Sequence, residues 1–452
     1  MIKKALRSTR VVTPHGVEAA VVHIDEAGRI ADIATRAAPG YELIDYGELA
    51  ISPGLVDSHI HVNEPGRTEW EGYATATRAA AAGGVTAVID MPLNSIPATT
   101  TVEALALKKA ACAEQCFVDV GFWGGVVPGN AGELAGLAQG GALGCKAFMI
   151  ESGVDEFPFS RRDDLRKAMP ILREHGLPLL AHAELDLGAD VHEQNPRRYR
   201  SYLESRPKAW EDAAIALLIE LAQETGCHVH VVHLSAASSL AQIVAAKAAG
   251  VPITVETCPH YLCLEAEAIP DDGVLFKCSP PIREHDNREQ LWRGVLDGAI
   301  DFVVTDHSPC APHLKHAPGG LPDAWGGIAS LQLGLPLLWT EASARGAGLV
   351  DLAAWTSSRA ARFAGVGTHK GSISRGFDAD LVVWDPDAET EVVPESLFFR
   401  HRQQSPYIGA RLRGRVRHTW LRGSEIFDGT ALVGAPTGRL LLGRDQPLGA
   451  PA

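Results

Sequence analysis

No apolar run in the sequence approaches the roughly 18 residues that a membrane-spanning helix needs, which argues against an integral helical membrane protein. Basic residues are not in excess either. Lys and Arg number 41 against 55 Asp and Glu, a formal net charge of −14, and that balance disfavours duplex nucleic acid or any phosphate-rich partner, which would call for a basic face. The eight cysteines, at 112, 116, 145, 227, 258, 263, 278 and 310, form no Cys-x-x-Cys pair and lie mostly within apolar segments. They read as reduced, buried thiols. Cys145, Cys278 and Cys310 adjoin candidate site residues, but no base stands at a spacing that would make one of them a nucleophile. Low-complexity segments are missing, and Met1-Ile-Lys-Lys-Ala-Leu-Arg7 runs into Val11-Val12 without the apolar stretch of a signal peptide. A cytoplasmic protein is expected, with a short transit peptide as the alternative.

What is present is core-forming material, 46% hydrophobic and 21% charged residues over 452 positions. That length allows a large α/β domain with something smaller beside it. Short strand-like runs, Lys4–Val12, Glu18–Ile24 and Arg29–Ala34 with a turn at Asp25–Gly28, predict a small sheet from the first 50 residues. From Ile51 the rhythm changes to apolar runs alternating with Ala-rich stretches of helical period, the pattern of βα units on a parallel sheet. Eight strands are predicted: Ile51–Ile60, Val85–Asp90, Phe117–Trp123, Leu143–Met149, Leu177–Ala183, His228–Leu234, Pro252–Thr257 and Ile300–Thr305. Helices are expected between them, among them Trp70–Ala82, Val102–Cys116, Arg162–His175, Trp210–Thr225, Ala237–Ala249 and Asn287–Gly298, with another at Ile328–Ala342. Eight such repeats close a (β/α)₈ barrel. Strand pattern returns after Gly371, at Gly414–Leu421 and at Glu425–Phe427. The fold class is therefore α/β, with residues 1–51 and 371–452 building one small β-sandwich domain beside a barrel of 52–370, and the Gly-, Pro- and Arg-rich tail after about Ala435 as a surface arm.

His59 and His61 end the first strand with one residue between them, so they project to the same side and can hold one cation. Lys146 lies in the fourth strand, His182 in the fifth, His233 in the sixth, and Asp306 follows the eighth. Each alone admits a structural role, as a hydrogen-bonded core histidine, a buried ion pair or a loop cap. Together they gather at the C-terminal mouth of a barrel, where such folds keep their active sites. Four imidazoles and a carboxylate suit zinc or another first-row divalent ion; the lysine, a cation itself, is the odd member.

The stretch Gly54-Leu-Val-Asp-Ser-His-Ile-His-Val-Asn-Glu-Pro-Gly-Arg67 resembles the metal motif of the cyclic amidohydrolases, the hydantoinase-like metal-dependent hydrolases. Met91–Thr99, Thr257-Cys-Pro-His-Tyr261, Lys277-Cys-Ser-Pro-Pro-Ile-Arg283, Asp306-His-Ser-Pro-Cys310 and Trp325-Gly-Gly-Ile328 extend the resemblance across the barrel, and Gly376-Phe-Asp-Ala-Asp-Leu381 carries it into the C-terminal sheet. The resemblance implies two metal ions per subunit, zinc first with cobalt, iron(II) or manganese as alternatives. His59, His61, Lys146 and Asp306 would hold one ion, and Lys146, His182 and His233 the other, Lys146 being carboxylated by carbon dioxide so that it bridges them. His233 is preferred over His228 and His230 because Leu-Ser follows it as in the family, it lies nearest the strand's end, and the other two stand at odd offsets and should face away.

The implied activity is hydrolysis of a cyclic amide, here the hydantoin ring of allantoin opened to allantoate in purine breakdown. A metal-bridging hydroxide would attack, with Asp306 as base and then acid. Asn63, Arg67, Asn94, Cys278, Ser279, Ser308, Pro309, Gly326 and Gly327 are the expected substrate contacts, and the expected assembly is a homotetramer with no nucleic-acid or membrane partner. A dihydroorotase-like chain would place an arginine at position 63 for a substrate carboxylate; Asn63 points instead to an uncharged ring substituent. The alternatives are a hydantoinase or dihydropyrimidinase and, more remotely, a non-catalytic scaffold.

Overall fold

The computed structural model describes residues 3–444. Eight parallel strands form the barrel: Leu55–Ile60, Val85–Asp90, Asp119–Phe122 continued by Gly124–Gly125, Cys145–Phe148, Leu179–His182, Val229–Val231, Ile253–Thr257 and Phe302–Val303. Seven lie inside the predicted runs, and the third extends past its run, Phe117–Trp123, by the short piece Gly124–Gly125 that pairs with Cys145–Lys146. The barrel closes where His61 donates its backbone N–H to the His307 carbonyl at 2.8 Å. Below that contact the buried Asp57 carboxylate accepts the backbone N–H of Thr305 at 3.2 Å and its hydroxyl at 2.5 Å, tying the first strand to the end of the eighth.

The helices cover the barrel by their apolar stripes. Arg162–Glu174 buries Leu165, Ala168, Met169 and Leu172, the i, i+3, i+4, i+7 face of one helix. Val102–Cys112 begins where the Thr101 hydroxyl accepts the Ala104 N–H, filling one of the otherwise unmet donors of its first turn.

The predicted first strand, Ile51–Ile60, is two strands. Ala50–Pro53 pairs with Leu381–Trp384 in the end sheet, and only Leu55–Ile60 enters the barrel. The break falls at Gly54 because a Cβ there would lie 2.3 Å from the Thr86 hydroxyl, so the chain passes from the end sheet into the barrel where only glycine fits. Strands from both chain ends make one eight-stranded sheet in the order Ser424–Phe427, Arg411–Leu421, Leu381–Glu391, Ala50–Pro53, Lys4–Thr13, Gly16–Ile24 and Ile30–Ala34, with Glu42–Asp45 also on Lys4–Thr13. Period-two alternation divides its side chains between two cores. Leu381 and Val383 pack with Leu6, Val22 and Trp420, whereas Val382 and Trp384 join the barrel's own core.

Through Arg444 the tail departs from the expected surface arm, and the rest of that arm, 445–452, lies outside the described residues. Leu440–Leu441 lies parallel to Val120–Gly121 as an added strand, and the Arg439 backbone N–H donates to Asp119 at 2.7 Å. The strand edge beside Asp119–Phe122 offers unmet backbone groups, and an extended glycine-rich segment supplies them.

Asp119 is also part of a largely buried charge cluster that ties the barrel to the end sheet. Lys370 Nζ lies 2.6 Å from Asp119, 2.6 Å from Asp380 and 2.9 Å from Asp378, and Arg422 grips Asp119 from the sheet side. Exchange of Lys370 for methionine removes the one cation that Asp380 and Asp378 share with Asp119, leaving Asp119 to Arg422 alone and the buried Asp380 carboxylate without an ion-pair partner among the described residues. Loss of one partner from a buried pair costs about 3–5 kcal/mol, so the thermal midpoint is expected to fall by several degrees; an unchanged midpoint in a melting scan would show the cluster to be dispensable.

Candidate metal centre and active-site cleft

His59 and His182 lie at the C-terminal ends of the first and fifth strands, His61, His233 and Asp306 just beyond the first, sixth and eighth, and Lys146 within the fourth. His59 and His61 lie with their ring centroids 5.5 Å apart, and both Nε2 atoms approach the same Asp306 oxygen, at 3.2 and 3.5 Å. On the other side of the mouth His182 Nδ1 and His233 Nε2 converge at 3.1 Å. His59, His233 and Asp306 bring one donor atom each within 4.8 Å of one another. Lys146, 1% exposed, lies close enough to His59, His182 and His233 to disfavour the protonation of all three. The structure thus brings together all six candidates around one opening.

Positioning groups behind the ligands determine which ring nitrogen faces the opening. Glu256 accepts from His59 Nδ1–H, so that Nε2 presents its lone pair inward; Glu184 accepts from His182 Nε2–H at 2.6 Å, so that Nδ1 does. A carboxylate behind each imidazole is the usual arrangement at metal sites, where it fixes the tautomer and raises the ligand's basicity. Burial pushes the His59, His182 and His233 imidazoles below their ordinary range, which keeps them neutral and able to bind a cation. For Asp306 burial alone would raise the carboxyl, but His59, His61 and His233 outweigh it and hold it ionised, well below the usual carboxylate range. Burial pushes the Lys146 amine down to about 7 against the pull of Glu256 and Asp306. The residues present therefore fit divalent ions: neutral imidazoles, an ionised carboxylate, and an amine for which the ammonium form is disfavoured.

Two of these ligands are aimed by strained backbone. His233 has φ 39° and Asp306 φ 45°, and Asn63 and Asn94 at the same mouth have φ 68° and 70°. Left-handed conformations are uncommon outside glycine and concentrate at functional sites. They also revise the reason for choosing His233. Strand geometry ends at Val231, so parity does not carry from His230 to His233. His230 donates to Glu256 at 3.0 Å, the same carboxylate that holds His59, so it points into the barrel one layer beneath the mouth and not away from it. His228 and His230 both contact the Thr254 hydroxyl at 2.8 Å and continue that column.

The ligands line an open cleft of about 320 Å³. Of the expected substrate contacts, Asn94, Cys278, Ser279, Ser308, Gly326 and Gly327 line it; Asn63, Arg67 and Pro309 do not. Asn63 is turned inward, donating to the Pro309 carbonyl at 3.2 Å, and Arg67 braces the loop by donating to the Asn94 carbonyl at 2.9 Å and pairing with Glu156. Ser308 donates to Asp306 at 2.8 Å. Gly327 is required by close approach, because a Cβ there would meet the Ser308 carbonyl at 2.2 Å. Cleft residues that the sequence reading did not single out include Phe148, stacked on His182 with centroids 4.5 Å apart, Tyr202, which contacts Ser279 at 2.7 Å, and Arg206, which grips Glu184 from the cleft side. The acids Glu184 and Glu256 carried a legible signal, a carboxylate at strand spacing from a ligand and one inside an apolar run.

Removing the negative charge behind His59 gives a specific expectation. Glu256→Gln retains the shape but weakens the hold on His59 and His230, and loss of such a partner typically costs about 10–100-fold in metal affinity. Competition with a chromophoric chelator measures it; affinity within twofold of the unaltered protein would assign Glu256 to packing alone.

A family model described as the amidohydrolase family matches residues 50–426. The chain is 48% identical to an allantoinase from Streptomyces avermitilis over 97% of this chain and 98% of that one, and 43% identical to an allantoinase from Arabidopsis thaliana over 93% and 87%. Among solved structures it is similar to the L-hydantoinase (dihydropyrimidinase) from Arthrobacter aurescens, with TM-score 0.91, 27% identity, and 98% and 100% of the two chains covered. With the family match spanning the whole barrel and about half of the end sheet, and six candidate ligands gathered at the barrel's mouth, the chain belongs to the amidohydrolase family.

Proposed function

We propose that this protein is an allantoinase, hydrolysing the ring amide of allantoin to give allantoate. The observation that carries the reading is the 48% identity to an allantoinase across nearly the whole of both chains. Two divalent ions, zinc first, would be held by His59, His61, Lys146, His182, His233 and Asp306, with Lys146 carboxylated so that it offers an anion to both. Such ions supply Lewis acidity and lower the pKa of water toward neutrality. The chain's own residues do the rest. Asp306, held ionised by its histidines and oriented by the Ser308 hydroxyl, takes the proton of the attacking water and returns it to the departing ring nitrogen. The backbone at Ser279 and Gly326 offers hydrogen-bonding groups to the ring and its ureido arm, with the Tyr202 hydroxyl bracing Cys278–Ser279 and Lys315 holding Gly327. A homotetramer and a cytoplasmic location accompany this reading.

Purified, metal-loaded protein offered racemic allantoin, hydantoin, dihydrouracil and dihydroorotate in parallel tests it. Turnover of allantoin far above the others, abolished by chelation and restored by zinc, is the expected result. Preference for hydantoin or dihydrouracil would transfer the protein to the hydantoinase branch that its structural neighbour represents, and no turnover of any ring at full metal content would leave a binding scaffold.

A further inference from the structure

Around Asp306 a second group of donors converges. Cys258 and His260, which flank Pro259 just after the seventh strand, each bring one ligand atom within 4.8 Å of the other and of an Asp306 oxygen. All three are buried: Cys258 0%, His260 1% and Asp306 7% exposed. An independent observation points the same way. Both ring nitrogens of His260 lack a hydrogen-bonding partner among the described residues, although a buried polar group left unpaired costs about 1–3 kcal/mol. Nothing in the proposed reaction uses Cys258 or His260.

We infer that Cys258, His260 and Asp306 form a third cation site, selective for a thiophilic divalent ion, which when filled draws Asp306 away from the reacting centre and stops turnover. The donor set separates it from the neighbouring pair of sites. Those offer only nitrogen and oxygen, whereas this one offers a sulfur, and thiolate ligation favours soft ions such as cadmium over magnesium, calcium or manganese. Binding is balanced by proton release: the Cys258 S–H bond is replaced by a sulfur–metal bond and one proton leaves to solvent. His260 contributes a neutral imidazole, and Asp306, shared with the first metal, contributes the carboxylate. A protein working with zinc would thus carry a site through which excess soft metal inhibits it reversibly.

The test uses the zinc-loaded protein titrated with cadmium, with bound metal counted after ultrafiltration and thiolate-to-cadmium charge transfer followed in the ultraviolet. The expected result is one cadmium beyond the two zinc ions, the absorbance of a single thiolate, and turnover lost in step with both. Cys258→Ser should hold two zinc ions and turn over normally, while its extra cadmium binds at least roughly 100-fold more weakly, a larger loss than that of an outer-shell partner, and shows no thiolate band. His260→Asn should weaken the extra site without removing zinc. Cadmium that only replaces zinc, with the total remaining at two, would overturn the inference. So would a thiolate band that survives in Cys258→Ser, since it would belong to another of the eight cysteines. Because metal is counted directly, either result stands whichever ring the enzyme opens.

Discussion

Asp306→Asn is expected to leave a folded protein that has lost nearly all turnover. General acid–base groups typically contribute about 10²–10⁴-fold, and Asp306 is asked to serve in both directions of proton transfer, so kcat should fall toward the upper end of that range. Folding should survive for two reasons. Asparagine is among the few residues that accept a left-handed backbone, here φ 45°, and its side-chain oxygen can still accept from Ser308, now 2.8 Å away. What the amide cannot do is take a proton at neutral pH. KM should change far less than kcat, because the lost interaction matters in the transition state and not in substrate binding. Steady-state kinetics on protein of verified metal content decide it, and turnover within tenfold of the unaltered enzyme would move the proton-transfer role to another group.

Lys146→Met separates two readings of a buried lysine. If the amine were only structural, the swap should cost little, since Lys146, unlike Lys370, has no ion-pair partner among the described residues to be stranded and an apolar side chain avoids the cost of burying a charge. Lys146 fits poorly as a structural choice: it is 1% exposed, burial disfavours its ammonium form despite the pull of Glu256 and Asp306, and its Nζ lies over the face of Phe148 at 5.2 Å. The expected result is a melting midpoint equal to or above that of the metal-free parent, combined with fewer than two ions retained per chain. Metal affinity should drop by more than the roughly 10–100-fold that follows loss of an outer-shell partner, and activity with it. Short carboxylic acids added to the assay should recover part of the turnover by supplying the missing anion. Full metal content and full turnover in Lys146→Met would refute the bridging role.

The barrel could be read from the chain because its strands are buried on both faces and so appear as unbroken apolar runs, separated by helices whose stripe is as regular as that of Leu165, Ala168, Met169 and Leu172. Candidate ligands were legible for the same reason: a histidine or aspartate closing an apolar run stands out. Less legible were features that depend on contacts between distant segments. The break at Gly54 is set by Thr86, and the pairing of Leu440–Leu441 is set by an open edge more than 300 positions earlier. The parity argument at His230 failed because period two holds only while the strand lasts, and the chain leaves strand geometry at Val231. The cleft walls were half-read: Ser279, Ser308 and Gly326 came from motifs, but Phe148, Tyr202 and Arg206 sit in stretches where aromatic and basic residues are ordinary, and only the fold brings them to the ligands.

The sheet that joins both chain ends also sets a timetable for a growing polypeptide. Ala50–Pro53 finds its antiparallel partner only in Leu381–Trp384, and at ordinary rates of about 5–20 residues per second that partner emerges roughly 15–65 s later. Throughout this interval the edge of the N-terminal hairpin is open, a template for pairing with other nascent chains. Leu440–Leu441 arrives later still, to finish the edge of the third barrel strand. Closure of the end sheet therefore waits until most of the chain has been made, and its early edge is best served by shielding while the barrel between is synthesised.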